Sequence, residues 1–277
     1  MKDYMQAMIE AALQAGTIIK NAFSGDFQIS EKEKKENVSD FVTAIDKASD
    51  HKIISVLNQR VPSVNVVTEE SGGIENDKYF LVDPLDGTTN FVTGIDYFSV
   101  SITYIEKGKI VAGCVYDPIR DNMFYAIKGE GSYLNNIPVK VKTTPLNKTI
   151  FIQEENFGGT RQKEILERTA LLTTGIAGLR KTGSTALDLA YISAGKPWFV
   201  LASGVKPWDV AAGAIIAQEA GATVTSLAGE KYDLQSDTIM AGTPNIYTEM
   251  KKRLAVRIST KRGCYEKNNS GLRSRTR

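Results

Sequence analysis

The feature that most constrains the fold is an apolar run that ends in two carboxylates. Residues 79–82 predict a buried β-strand, and Asp83 and Asp86 follow it directly. Because the intervening proline lacks the N–H that a ladder needs, we expect the strand to end at Asp83. Gly87 permits close approach of the backbone to a ligand, and N–H groups around Thr88 can face an anion if a helix begins there. Two oxygen ligands suited to a hard cation such as Mg²⁺ are thus predicted at a strand end.

Taken alone, Asp-x-x-Asp-Gly is a common surface turn, since Asp and Gly are favoured in turns for local reasons. Three further acidic segments favour a functional site over a turn: DFVTAID at 40–46, TEES at 68–71 and PWDVAAG at 207–213. Together with the Asp83 run, and in this order, they resemble the inositol monophosphatase family, most closely its bacterial branch. The resemblance extends over about residues 1–255.

The hydrophobic pattern predicts a mixed α and β chain. Predicted helices cover the N-terminus to Phe23 and residues 46–59, 161–172, 185–193, 210–220 and 244–256. Predicted strands cover 64–68, 98–105, 110–116, 123–127, 132–134, 198–201, 222–226 and 238–241, with another around Phe151. The resemblance implies an α+β fold, the layered α-β-α-β-α sandwich of the inositol monophosphatase and fructose-1,6-bisphosphatase type, with the site between two lobes.

The expected domains are an N-terminal α+β lobe at 1–145, which carries most metal ligands, and a C-terminal α/β lobe at 146–258, which carries Asp209 and the substrate turn. The tail at 259–277 is basic and lacks periodicity, so we expect it to be disordered. Residues 251–277 hold ten of the 34 Lys and Arg but a single acid. The rest of the chain therefore carries a net negative charge, although the net charge of the whole chain is +2. A cluster of unpaired, metal-seeking carboxylates would produce such a negative charge, although acidic surfaces also serve solubility.

Several classes of site are excluded by the scarcity of histidine and cysteine. His51 is the single histidine and is expected on the surface of a helix, so zinc sites of the Cys or His type and a Ser-His-Asp system are implausible. Cys114 and Cys264 give no disulfide framework and favour a reducing, cytoplasmic setting. No apolar run approaches the length of a membrane span, so no membrane partner is expected.

The resemblance assigns metal ligands residue by residue. It implies that Glu69, Asp83 and the Leu85 carbonyl bind a first metal, and that Asp83, Asp86 and Asp209 bind a second. Asp209 could instead cap the helix that follows it, a frequent role for Asp that is compatible with metal binding. The implied cofactor is Mg²⁺, as two or three ions, with Mn²⁺ as a substitute.

The resemblance also implies catalytic and substrate-binding roles. Glu69 and Thr88 match the pair that orients the attacking water, Asp46 and Thr43 match residues that buttress it, and Lys35 matches a mobile-loop lysine that approaches the metals. The matched substrate contacts are Asp86, the N–H groups of Gly87 and Thr88 on the phosphate, and a turn at a helix start that contacts hydroxyls, formed by Gly183, Ser184 and Thr185.

One departure from the family pattern concerns the substrate. Where inositol-specific members carry a Glu shortly before Gly-x-x-x-Trp-Asp, this chain has Ala202. Loss of a hydrogen bond to a charged group costs about 1.5–3 kcal/mol, enough to weaken an inositol preference about tenfold or more.

The function expected from the sequence is a Mg²⁺-dependent phosphatase that hydrolyses a small phosphorylated polyol, such as inositol 1-phosphate, through metal-activated water. The alternatives within the same fold are a 3′(2′),5′-bisphosphate nucleotidase and a fructose-1,6-bisphosphatase. A further alternative is a role with RNA or the transcription machinery, as in some bacterial relatives, to which the Arg-rich tail could contribute. Lithium sensitivity and a homodimer are implied by the resemblance only.

Overall fold

The computed structural model describes residues 2–24, 38–155 and 161–255, with the side chains of residues 38–43 left outside the description. Lys35, the charged segment at 31–36, Cys264 and the tail at 259–277 therefore lie outside it. The helices of the described residues are α1 (Asp3–Phe23), α2 (Val38–Arg60), α3 (Thr88–Thr93), α4 (Gln162–Thr173), α5 (Thr185–Ser193), α6 (Pro207–Glu219) and α7 (244–255).

The first sheet has seven strands in sequence order. Its members are β1 (Asn65–Thr68), β2 (Lys78–Asp86), β3 (Ser99–Glu106), β4 (Lys109–Asp117), β5 (Asn122–Ile127), β6 (Gly131–Leu134) and β7 (Ile137–Val139). The β1 and β2 strands are parallel and every later pair is antiparallel. The site acids of this half of the chain consequently lie near one edge of the sheet, at the ends of β1 and β2.

The second sheet has five strands in the order β11-β12-β10-β8-β9. Its members are β8 (Ile150–Glu154), β9 (Gly178–Arg180), β10 (Trp198–Ser203), β11 (Thr223–Thr225) and β12 (Thr238–Gly242). The β8 strand is parallel to both β9 and β10, so the carboxyl ends of these three strands meet at one edge.

Helices and sheets alternate in five layers. The α1 and α2 helices pack on one face of the first sheet through a large apolar cluster that includes Met8, Leu57 and Phe80. Helices α5 and α6 lie between the two sheets, and α4 and α7 contribute Leu172 and Met250 to the cluster on the far face of the second sheet. These layers confirm the expected α+β fold with an α-β-α-β-α arrangement. The predicted division into lobes at residue 145 stays a prediction.

The α6 helix is held very closely by its neighbours. It is apolar all round, as expected of a helix buried between two sheets. A Cβ at Gly113 of β4 would lie 2.7 Å from the carbonyl oxygen of Ala212, and one at Gly213 would lie 2.9 Å from the carbonyl oxygen of Ala186. Glycine at these two positions allows α6 to approach β4 and α5, which fixes the position of the helix end that carries Asp209.

Two predicted boundaries, the end of β2 and the start of α6, are wrong for the same reason. In each case the element includes a proline that was expected to lie outside it. The β2 strand continues through Pro84 to Asp86, because its pairing with β3 shifts there: Asp83 lies opposite Ser101, and Asp86 lies opposite Ser99. Three residue steps of β2, from 83 to 86, thus lie opposite two steps of β3, from 101 to 99. An irregularity of this kind tolerates a missing N–H. The helix predicted from residue 210 begins at Pro207, a favoured first helical residue.

Other predictions from the pattern are confirmed or extended. Helix α5 has the predicted bounds, and His51 is exposed on α2, which begins well before the predicted start at residue 46. In the described ranges, no helix combines the length and apolar character needed to cross a bilayer.

Candidate metal centre

Three of the predicted metal ligands converge in the structure. One carboxylate oxygen from each of Glu69, Asp83 and Asp209 lies within 4.8 Å of the other two. Glu69 follows β1, Asp83 lies within β2, and Asp209 lies in the first turn of α6. We call these three residues the acid triad.

The position of each triad member follows from local structure. Thr68 pairs with Val82 in the parallel ladder, and the Glu69 N–H donates to the Val82 carbonyl oxygen at 3.0 Å, so Glu69 and Asp83 emerge side by side. The Asp209 Oδ2 accepts the N–H of Lys206 at 2.8 Å, which ties its carboxylate to the start of α6. Capping and participation in the triad are thus both present at Asp209.

Burial raises the pKa of all three carboxyls of the triad. Burial raises the pKa of Asp83 well above its usual range, and the charges of Asp86, Glu69 and Asp209 raise it further. Glu69 is the exposed member of the triad. Partial desolvation of its carboxyl raises its pKa, and the charges of Asp209 and Glu70 raise it further. Burial is also the main cause of the raised pKa of Asp209, and the N–H and the positive charge of Lys206 oppose it.

No Lys, Arg or His of the described residues forms an ion pair with the triad. Three carboxylates close together, with no ion-pair partner, suit a hard divalent cation. Such a cation prefers oxygen ligands and retains several waters in an open site. The acids present therefore fit a metal ion of this class.

Leu85 and Thr88 lie next to the triad. The Leu85 N–H donates to Asp83 Oδ1 at 3.0 Å, and the Thr88 hydroxyl donates to the Leu85 carbonyl oxygen at 3.0 Å. Gly87 has a φ of 100°, and a Cβ on it would lie 3.1 Å from the Tyr97 carbonyl oxygen, so this turn requires glycine. The metal role of the Leu85 carbonyl and the phosphate role of Gly87 and Thr88 remain predictions.

Asp86 is held by the second half of the chain. Its Oδ2 accepts the Ser184 hydroxyl at 2.5 Å and the Ala186 N–H at 2.9 Å, both at the start of α5. Burial raises the pKa of Asp86 to about 7, the bond from Ser184 lowers it, and the charge of Asp209 raises it. The structure thus pairs two predicted site residues, Asp86 and Ser184, with each other. Their roles toward metal and substrate remain predictions.

Asp46 is a buried acid of α2 that lies near Glu69 and Glu70. Burial raises its pKa to about 7, with the charges of Glu70 and Glu69 adding to the effect. Its Oδ1 accepts no hydrogen bond from the part of the chain that the structure describes. Thr43 lies one turn earlier in α2, but its side chain is outside the description, as is the whole of Lys35. The catalytic roles assigned to these three residues stay predictions.

A cavity of 620 Å³ opens beside the triad, with Asp209 on its wall. Two of the three predicted hydroxyl contacts, Gly183 and Thr185, line it, whereas Ser184 is fully buried against Asp86. A wider depression of 710 Å³ lies at Glu75, Asp77 and Gly108, but it contains none of the predicted site residues, so we assign the site to the cavity at Asp209.

The cavity also exposes side chains that the sequence reasoning missed. These are Glu154, Lys181, Thr182 and Ser203. Glu154 carries a sequence signal similar to that of Asp83, since it is an acid near the end of an apolar strand. Ala202, by contrast, is buried in β10 and offers no polar group.

The fold and the acid triad together define a class of protein: a layered α-β-α-β-α sandwich that has a candidate metal site next to a polar cavity. The sequence profile of the inositol monophosphatase family matches residues 1–261, and the chain belongs to that family. The resemblance drawn from the four motifs is confirmed. Members of this family use metal ions, and the triad is the candidate group for holding them here.

Individual relatives carry two kinds of name. A Nus factor SuhB of Pasteurella multocida is 38% identical over 261 residues, which are 92% of this chain and 96% of the relative. The crystal structure of the extragenic suppressor protein suhB from Bartonella henselae superimposes with a TM-score of 0.82 at 32% identity, covering 91% of this chain and 98% of that one. An inositol monophosphatase from Anabaena superimposes with a TM-score of 0.77 at 30% identity, covering 90% and 94%.

Proposed function

We propose that this chain is a divalent-cation-dependent phosphatase that hydrolyses a small phosphate monoester of the inositol 1-phosphate type. The observation that carries the proposal is the convergence of Glu69, Asp83 and Asp209 to within 4.8 Å of one another, with Asp209 on the wall of a polar cavity. Phosphate monoesters hydrolyse extremely slowly without help, and a concentrated set of cation ligands is the electrostatic means of accelerating that reaction.

The proposed cofactor is Mg²⁺, as two or three ions, with Mn²⁺ able to replace it. The triad would hold it, with Asp86 and the Leu85 carbonyl as the further ligands that the family resemblance supplies. When bound, such an ion lowers the pKa of a coordinated water and offsets negative charge on the phosphate.

The chain's own groups have separate tasks in this proposal. Glu69 and Thr88 orient the attacking water, and the Thr88 hydroxyl, which donates to the Leu85 carbonyl, keeps lone pairs with which to accept a hydrogen bond. Asp46, with its pKa raised to about 7 and an unpartnered oxygen within the described structure, is suited to support proton movement near neutrality. Thr43 and Lys35 are assigned their buttressing and metal-approaching roles by the family resemblance alone.

The alcohol part of the substrate would occupy the 620 Å³ cavity. Gly183 and Thr185 line it, and the N–H groups of Gly87 and Thr88 are proposed to bind the phosphate between the cavity and the triad. The polar lining favours a hydroxylated group over an apolar one.

The decisive experiment is phosphate release from a panel of monoesters with and without Mg²⁺. The panel should contain inositol 1-phosphate, glycerol 2-phosphate, p-nitrophenyl phosphate, 3′-phosphoadenosine 5′-phosphate and fructose 1,6-bisphosphate. We expect release that requires Mg²⁺ or Mn²⁺, is greatest for a polyol monoester and is inhibited by Li⁺. Strong preference for one of the two bisphosphates would instead select the corresponding alternative, and no release from any member would reject the phosphatase.

A second candidate function, association with RNA or the transcription machinery, is favoured by the name of the Pasteurella relative, a Nus factor. It would use the basic residues at 259–277. Salt-dependent RNA binding that disappears when this segment is removed would support it. Both functions can coexist in one chain. The proposed homodimer is tested separately, by sedimentation of the purified chain.

A further inference from the structure

The carboxylate of Glu154 has an arrangement that the roles assigned above do not explain. Glu154 is the last residue of β8, and its side chain lines the cavity beside Asp209. Its Oε1 accepts two backbone hydrogen bonds from one turn, the Thr182 N–H at 2.6 Å and the Gly183 N–H at 3.0 Å. The Thr182 hydroxyl lies 3.0 Å from the same oxygen but is closer to the Asp188 carboxylate, at 2.7 Å. One oxygen therefore fixes the carboxylate in place.

The other oxygen, Oε2, is left for a ligand. In the described part of the chain no hydrogen bond to it is formed, and no Lys or Arg forms an ion pair with Glu154. A carboxylate oxygen is an acceptor only, so its natural partner in a cavity is a donor such as an alcohol hydroxyl. Hydrogen bonds to charged acceptors are about twice as strong as neutral ones, which makes this oxygen a strong point of recognition.

The sheet register places this carboxylate beside Ala202. Glu154 and Ala202 are directly paired residues of the parallel strands β8 and β10, so their side chains emerge on the same face of the sheet, about 4.8 Å apart across the strands. Ile152 and Val200, two residues earlier on each strand, belong to one apolar cluster with Ala202, which confirms the shared face. The methyl group at 202 cannot accept a hydrogen bond, and the adjacent strand supplies a carboxylate at the matching position.

We propose that Glu154 is the specificity-determining residue of the cavity and accepts a hydrogen bond from a hydroxyl of the substrate's alcohol part. The inference rests on the proposed phosphatase function. It names the ligand class, a polyol monoester with a hydroxyl that reaches the end of β8. An ester whose leaving group has no hydroxyl would gain nothing from this residue.

The test compares substrates in the variant Glu154→Gln. Glutamine keeps a carbonyl oxygen for the Thr182 and Gly183 N–H groups, so the turn is preserved, while the negative charge and the second acceptor are lost. We expect KM for inositol 1-phosphate to rise about tenfold or more, while kcat and KM for p-nitrophenyl phosphate stay within about twofold. Glu230→Gln, an exposed change outside the cavity, is the matched control and should alter neither substrate.

The outcomes distinguish a failure of the proposed role of Glu154 from a failure of the proposed phosphatase function. A purely structural role for Glu154 would impair both substrates alike, and equal changes or no change would overturn the inference while the phosphatase stands. A wild-type chain that cleaves the aryl ester but no polyol ester also overturns it. A wild-type chain that releases phosphate from neither class rejects the phosphatase and the inference together. Measuring urea unfolding of each variant confirms that the comparison is made on folded protein.

Discussion

The Ser184 hydroxyl donates to Asp86 Oδ2 across 2.5 Å, and this bond joins residues separated by 98 positions in the chain. Asp86 ends β2 of the first sheet, and Ser184 immediately precedes α5 in the middle layer. A buried carboxylate is thus stabilised by the start of a helix that belongs to the other half of the fold.

The first prediction concerns this bond. Since the bond from Ser184 lowers the pKa of Asp86, Ser184→Ala should raise that pKa, so that Asp86 is protonated up to a higher pH. The acid limb of the pH profile of kcat/KM should then move to higher pH, and the free energy of unfolding should fall by about 1–3 kcal/mol. Ser193→Ala removes another buried serine of α5, which bonds only within its own helix, and should reduce stability without moving the profile.

The second prediction concerns Asp209. Asp209→Asn removes one charge from the triad but keeps an oxygen that can accept the Lys206 N–H. We expect Mg²⁺-dependent turnover to be lost and Mn²⁺ binding, followed by calorimetry, to weaken sharply. Without metal, the variant should unfold at the same or a higher urea concentration than the wild type, because repulsion within the triad is relieved. Asp233→Asn, an exposed change, should leave all three measurements as they are; full activity of Asp209→Asn at saturating Mg²⁺ would remove Asp209 from the site.

The third prediction is a pH dependence of stability without metal. The pKa of Asp46 is raised from 3.8 to about 7, so the folded chain holds a proton that the unfolded chain releases between these values. The free energy of unfolding should therefore fall as pH rises from about 5 to about 7. Urea unfolding in EDTA at several pH values measures this slope, and Asp46→Asn should reduce it. A slope unaffected by that substitution would show that Asp46 titrates normally.

The fourth prediction concerns the packing of α6. A methyl group at position 113 would lie 2.8 Å from the Ala212 Cα, so Gly113→Ala forces α6 away from β4. Overpacking of this kind costs about 1–3 kcal/mol, and the melting temperature should fall accordingly. Cation affinity should fall as well, because α6 carries Asp209. In Gly178→Ala the new methyl would meet the flexible end of Arg180, so both effects should be small. Unchanged affinity in a destabilised Gly113→Ala chain would mean that Asp209 does not depend on this packing.

The sequence was most informative where acids belong to a recognisable motif. Glu69, Asp83 and Asp209 were identified from three such segments, and the structure brings them together. Glu154 carries the local signal of an acid at the end of an apolar strand, but its position beside Ala202 depends on the pairing of β8 with β10, which joins segments 48 residues apart and is not specified by any local pattern. The partnership of Asp86 with Ser184 is likewise a product of tertiary structure. Pro84 misled the strand assignment because a local shift of register is invisible in hydrophobic periodicity.

Helix α6 touches strands of both sheets and carries one member of the triad, while the other two members belong to the first sheet alone. Any sliding of the middle layer would therefore separate Asp209 from its two companions. An ion shared by all three would oppose that sliding, so the rigidity of the whole sandwich should depend on the supply of divalent cations around it.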